Sequence, residues 1–139
     1  MKYKFFEHTA DLGIEAYGKD LNELFMNCAL SIFESTADIN KIKGSENRKI
    51  RMKNKKIDGL LYDFLSEIIY LRDTDSIIFK NCKVEIKGDK EYLLNAVLSG
   101  DYINREIHEL RREIKAITLH MFEVKKIKAG WKARIIVDI

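Results

Sequence analysis

Residues 8 to 11 read "HTAD" and set an imidazole, a hydroxyl and a carboxylate in one short bend, between two stretches whose side chains alternate as strands do. The far end reads "IIVDI", so Asp138 is followed only by Ile139, whose terminal α-carboxylate would add a second acid beside the first. A side-chain carboxylate, a terminal carboxylate and main-chain oxygens make a set of hard oxygen donors, the kind that Ca²⁺ or Mg²⁺ takes. If the fold brought Asp138 to Asp11, the two acids would repel one another unless a divalent cation lay between them. Spacing cannot supply that approach, because only the fold joins the two ends.

Other chemistry finds little support. There is no G-x-S-x-G elbow, and neither Cys28 nor Cys82 sits in a polar loop beside a histidine, which leaves covalent catalysis without a nucleophile. The 7 glycines form no phosphate-binding loop. The 3 histidines, His8, His108 and His120, lack the spacing of a zinc site. His120, within an apolar stretch, reads as a core or hydrogen-bonding residue, and His108, among Arg105, Glu106, Glu109, Arg111 and Arg112, reads as a surface one. Asp63 and Glu67 share a helix flank at i and i+4, a spacing that suits a metal but more often marks a solvated face.

With 139 residues, 46% apolar and 34% charged, the sequence fits one folded domain spanning 1–139. A net charge of +3 is too small to argue for nucleic-acid binding by itself, although residues 41–56 hold eight cations against Glu46 alone. Two cysteines in no C-x-x-C pair, a start without an apolar leader and no long apolar run suggest a reducing, cytoplasmic setting without a membrane span.

The elements that must hold these residues follow from periodicity. Residues 2–7 and 12–18 are strand candidates. A helix begins after Asp20, where "DLNE" resembles a capping box, and carries Leu21, Leu24, Phe25, Cys28, Ala29, Ile32 and Phe33 on one stripe. Cys28 then reads as a small buried residue. "RKIRMK" at 48–53 is a charged strand suited to a sheet edge. A second helix is expected from about Asp58 to Asp73. Two strands joined at Gly88-Asp89 follow, then a polar turn through "YINREIHELRRE", a strand "IKAITLHMFEVKKI", a hairpin at "KAGW" and a closing strand. In that last strand Trp131, Ala133, Ile135, Val137 and Ile139 share one face and Asp138 lies on the other. Two helices and six or seven strands out of strict alternation predict an α+β domain with helices on one face of a mostly antiparallel sheet.

The combination of "HTADLGIEAYG", "LNELFMNCALSIF", "LLYDFLSEIIYL", "EIKAITLHMFEV" and a final "IIVDI" resembles the archease family, in order and over nearly the whole sequence. The resemblance implies an α+β two-layer sandwich with two main helices. It also implies a non-enzymatic accessory role in tRNA processing. Archeases assist the RtcB-type RNA ligase of tRNA splicing, which joins a 2′,3′-cyclic phosphate or 3′-phosphate end to a 5′-hydroxyl after guanylylation on its own histidine. They promote that guanylylation and multiple turnover, and broaden the nucleotide accepted; tRNA is met through the ligase. The family's metal ligands fall at Asp11, Asp138 and Ile139, with Ca²⁺ the usual ion. His8 and Thr9 then shape the bend, and Glu113 and Lys115, on one face of the "EIKAIT" segment by alternation, are candidates for supporting or partner contacts. Two other readings compete: a metal-dependent phosphodiester hydrolase with His8 as its base, and an RNA-binding or chaperone-like module using the basic stretch at 41–56.

Overall fold

A computed structural model describes residues 1–8 and 11–139. Eight strands and two long helices are formed by them: β1 (Tyr3–His8), β2 (Asp11–Gly18), α1 (Leu21–Thr36), β3 (Glu46–Asn54), α2 (Ile57–Asp75), β4 (Ile77–Lys87), β5 (Tyr92–Tyr102), β6 (Ala116–Ile117), β7 (Glu123–Ile127) and β8 (Gly130–Asp138). All registered pairings are antiparallel, and the fold is α+β. The strands divide between two sheets, where the sequence suggested one. Five run β1-β2-β8-β6, with β7 also on β8, and three run β3-β5-β4.

The first helix starts as its sequence dictates. Asp20 has extended backbone, and its carboxylate accepts the Glu23 N–H at 2.8 Å. Glu23 in turn accepts from the Lys19 N–H at 3.2 Å, so the reciprocal bond of a capping box falls one residue earlier than usual. The second helix has no side-chain cap and runs a little longer than expected, ending where Ser76 adopts φ 52. Both helices pack across the two sheets, α1 against β2 and β4, α2 against β3 and β6. One core therefore serves both sheets: Ile14, Ile135 and Val137 from one, Leu94 and Leu98 from the other, and Phe25 and Phe64 stacked between the helices at 5.9 Å. Each such side chain, fully withdrawn from water, contributes about 1.5–3 kcal/mol.

As the sequence suggests, β3 lies at an edge. Two turns differ from expectation. The β4–β5 connection takes residues 88–91, not Gly88-Asp89 alone, with Gly88 at φ 107. The expected strand through "IKAITLHMFEVKKI" is broken into β6 and β7, because Met121 takes the left-handed φ of 54 and Phe122 N–H closes a turn on Leu119 O. Both fragments pair with β8, at its two ends.

Candidate functional site

Register builds the site. β2 and β8 pair from Gly18–Trp131 to Leu12–Val137, so one further step sets Asp11, first residue of β2, against Asp138, last residue of β8. On one side of this pair His8 registers with Asp11, and on the other Ala116 registers with Asp138. A single cross-strand row thus reads His8, Asp11, Asp138, Ala116. Leu12 and Val137 turn into the core, so both acids lie on the opposite face, half-buried.

Elsewhere on that face acids meet cations: Glu15 is 3.2 Å from Lys4 and 3.7 Å from Lys132, and Glu123 is 3.6 Å from Arg134. Tyr17 donates to Glu15, and this with the two lysines holds its carboxyl below the usual range. Asp11 and Asp138 find no such cation among the described residues. Opposed side chains on antiparallel strands sit about 5 Å apart at Cβ. Ile139 packs against the core, and the Asp138 carbonyl accepts the Lys115 N–H at 2.7 Å, which ties the end of β8 to the segment before β6.

The donors available are two carboxylates and main-chain oxygen. Among the described residues no three acidic, histidine or cysteine side chains gather at metal-binding range. This set fits a hard cation that keeps part of its water shell and does not fit a closed zinc cage. His8 is half-buried, with Nδ1 lacking a hydrogen-bond partner among the described residues, and its ring lies 5.0 Å from that of His120. Thr9 falls outside the described residues.

Glu113 and Lys115 are both exposed, flanking buried Ile114, yet neither is in a strand. They face different hollows: Glu113 lines one with Arg72, Arg111 and Arg112, Lys115 another with Tyr62 and Tyr70. Asp63, exposed, is taken up by Asn54 Nδ2 at 3.2 Å.

The other two histidines exchange the roles their neighbours suggest. His120 is exposed, in the turn that breaks the expected strand. His108 is 7% exposed, and its Nε2 lies 3.0 Å from Asp101 Oδ2 while its Nδ1 accepts the Asn104 N–H at 3.0 Å. With Nδ1 accepting, Nε2 carries the proton donated to Asp101. Asp101 also accepts the N–H groups of Lys43, Gly44 and Ser45. Burial alone would raise its carboxyl, but those three N–H groups and His108 outweigh it and hold Asp101 well below the usual range. Sequence reading missed this pair because His108 sits among charges locally, and its partner loop lies far back along the chain. The closeness of His8 to His120 left no signal in the sequence either.

A sequence model of the Archease protein family matches residues 3–139. "Protein archease" of Methanosarcina acetivorans is 41% identical over 99% of this chain and 96% of its own length. That of Pyrococcus abyssi is 35% identical, over 99% of both. Among solved structures, the solution structure of Methanobacterium thermoautotrophicum protein 1598 superposes with a TM-score of 0.83 at 36% identity, covering 99% of this chain and 98% of that one. A crystal structure from Thermotoga maritima, titled an archease and possible chaperone, gives 0.62 at 21% identity over 98% and 96%, a likeness of fold.

Proposed function

The chain belongs to the archease family, and from that membership we propose that it activates an RtcB-type RNA ligase of tRNA splicing. In this reading it is an accessory protein without turnover of its own, acts in the cytoplasm, and reaches tRNA through the ligase. A divalent cation, Ca²⁺ or a similar ion, sits at Asp11, Asp138 and Ile139, which offers its terminal carboxylate or its main-chain oxygen. The loaded tip docks beside the ligase's own metal and nucleotide, favours guanylylation and turnover, and widens the nucleotide accepted. His8 orients the bend; Glu113 and Lys115 are the next contacts.

The observation that carries the reading is the register: two acids 127 positions apart in the sequence, Asp11 and Asp138, end one step beyond Leu12–Val137 on neighbouring strands. A cation between them replaces repulsion with two attractive contacts. The test is single-turnover guanylylation of the cognate ligase with the Asp11→Ala and Asp138→Ala proteins, each shown to be folded by its thermal transition. Stimulation is expected to drop by at least about tenfold, roughly 1.4 kcal/mol of coupling. Full stimulation by folded variants sinks the reading. His8 beside Asp11 also suits a metal-assisted hydrolase. Phosphodiester turnover by the isolated protein, lost in His8→Ala, would put that activity in place of the accessory role.

A further inference from the structure

Away from the acidic row, the ends of both helices and residues 103–113 enclose a cleft of about 330 Å³. Four of its wall residues are arginines, Arg72, Arg105, Arg111 and Arg112, and its apolar side is Ile78, Ile103 and Leu110, part of the small second core. Against these four cations stand Glu113 in the wall and Asp73, bonded to Arg72 at 3.0 Å, which leaves an excess of two positive charges (4 − 2).

The arginines are rooted in fixed backbone. The N–H groups of Arg111 and Arg112 donate to Thr36 O and Ser35 O, capping the last turn of α1 at 2.8 and 2.9 Å. Arg105 stands in the turn that His108 and Asp101 hold. Arg72 is in the last turn of α2, its side chain only 11% exposed, with Nε and Nη2 bonded to Asp73 and Nη2 also to Ile114 O. Its Nη1 is buried without a hydrogen-bond partner among the described residues. A buried guanidinium donor left without an acceptor costs about 1–3 kcal/mol.

Guanidinium groups suit phosphate oxygens by their forked, planar donors, and they remain charged at every working pH. We propose that this cleft binds the phosphate group of a small phosphate monoester, with the body of the ligand laid on Ile103 and Leu110. The volume is at the lower end for small-molecule sites, which suits a ligand of this size. The cleft contains neither acid of the cation row, and of the ligase contacts proposed above only Glu113 lies in its wall.

The experiment is a titration of the full chain with phenyl phosphate and, separately, inorganic phosphate, followed by calorimetry and backbone amide shifts at low salt. Saturable binding is expected, with shifts gathered at Thr36, Arg72 and residues 103–113. Arg105→Glu/Arg112→Glu should weaken it by at least about tenfold. Neither side chain has a hydrogen-bond or ion-pair partner among the described residues, and Arg105→Gln/Arg112→Gln serves if charge reversal unfolds the chain. Tighter binding of phenyl phosphate assigns a monoester; equal binding of inorganic phosphate assigns the free anion to the same cleft. Lys49→Glu/Arg51→Glu, on the separate cationic face of the three-stranded sheet, should leave affinity unchanged. No saturation by about 10 mM, no loss in the arginine variants, or an equal loss in the Lys49/Arg51 variant overturns the proposal.

Discussion

Replacing Asp101 by asparagine removes a charge that five donors converge upon. Its oxygens accept Lys43 N–H at 2.8 Å, Gly44 N–H at 2.8 Å, Ser45 N–H at 3.1 Å, Ser45 Oγ–H at 3.2 Å and His108 Nε2–H at 3.0 Å, and the residue is 8% exposed. Asparagine keeps the shape but has one acceptor oxygen, and its NH₂ must face either the loop N–H groups or the imidazole N–H. One hydrogen bond to a charged acceptor contributes about 1.5–3 kcal/mol, and the loop at 43–45 can recover part of the loss from water, so we expect a cost of about 2–3 kcal/mol at pH 7. The pH dependence has a definite sign. Asp101 is held below its unfolded value, so its contribution is complete above about pH 4 and fades as pH falls from there toward its folded value. Urea unfolding of both proteins between about pH 7 and pH 3 should therefore show the Asp101→Asn deficit shrinking below about pH 4. A deficit constant across that range, or under about 0.5 kcal/mol at neutral pH, would refute the argument.

Two other perturbations test the packing. A Cβ on Gly100 would come within 2.1 Å of the Ile78 carbonyl oxygen, beside the register shift between Phe79 and Asn81. Backbone must move to admit it, so Gly100→Ala should cost about 3 kcal/mol in denaturant unfolding; a change within experimental error would show that the bulge yields freely. Burial pushes the Cys82 thiol up to about 12, and burial, then the neighbouring Cys82, pushes Cys28 up as well. Both thiols should therefore react with a disulfide reagent at pH 8 far more slowly in the folded protein than in urea; rapid labelling of the native chain would contradict their placement in the core.

What the sequence could disclose was local. The Asp20 cap, the apolar stripe of α1 and the charged edge strand each depend on neighbours within a few residues, and each is where the sequence puts it. The division into two sheets depends on which strands meet across the chain, as with Asn54 opposite Tyr92, and no local period encodes that. His108 shows the same limit: its charged neighbours imply solvent, while it bonds a buried carboxylate seven residues back that a loop near residue 44 holds in place. The break at Met121 loops residues out between β6 and β7, so that the pairing along β8 shifts between Ala116–Asp138 and Glu123–Arg134, and no local period encodes that shift. At the candidate site the residue types were legible, Asp11 and Asp138 as hard donors. Their adjacency, and the placing of His120 beside His8, belong to the register and the turn.

We propose that the fold makes one cation site from two distant acids, Asp11 and Asp138. Calcium calorimetry on the unsubstituted chain, Asp11→Asn, Asp138→Asn and the double variant tests it most directly. A shared site predicts that each single substitution weakens binding by at least about tenfold. It also predicts that the double variant is little worse than either single one, because removing one carboxylate already dismantles the pair. Unchanged affinity in both single variants, or losses that simply add, would contradict it.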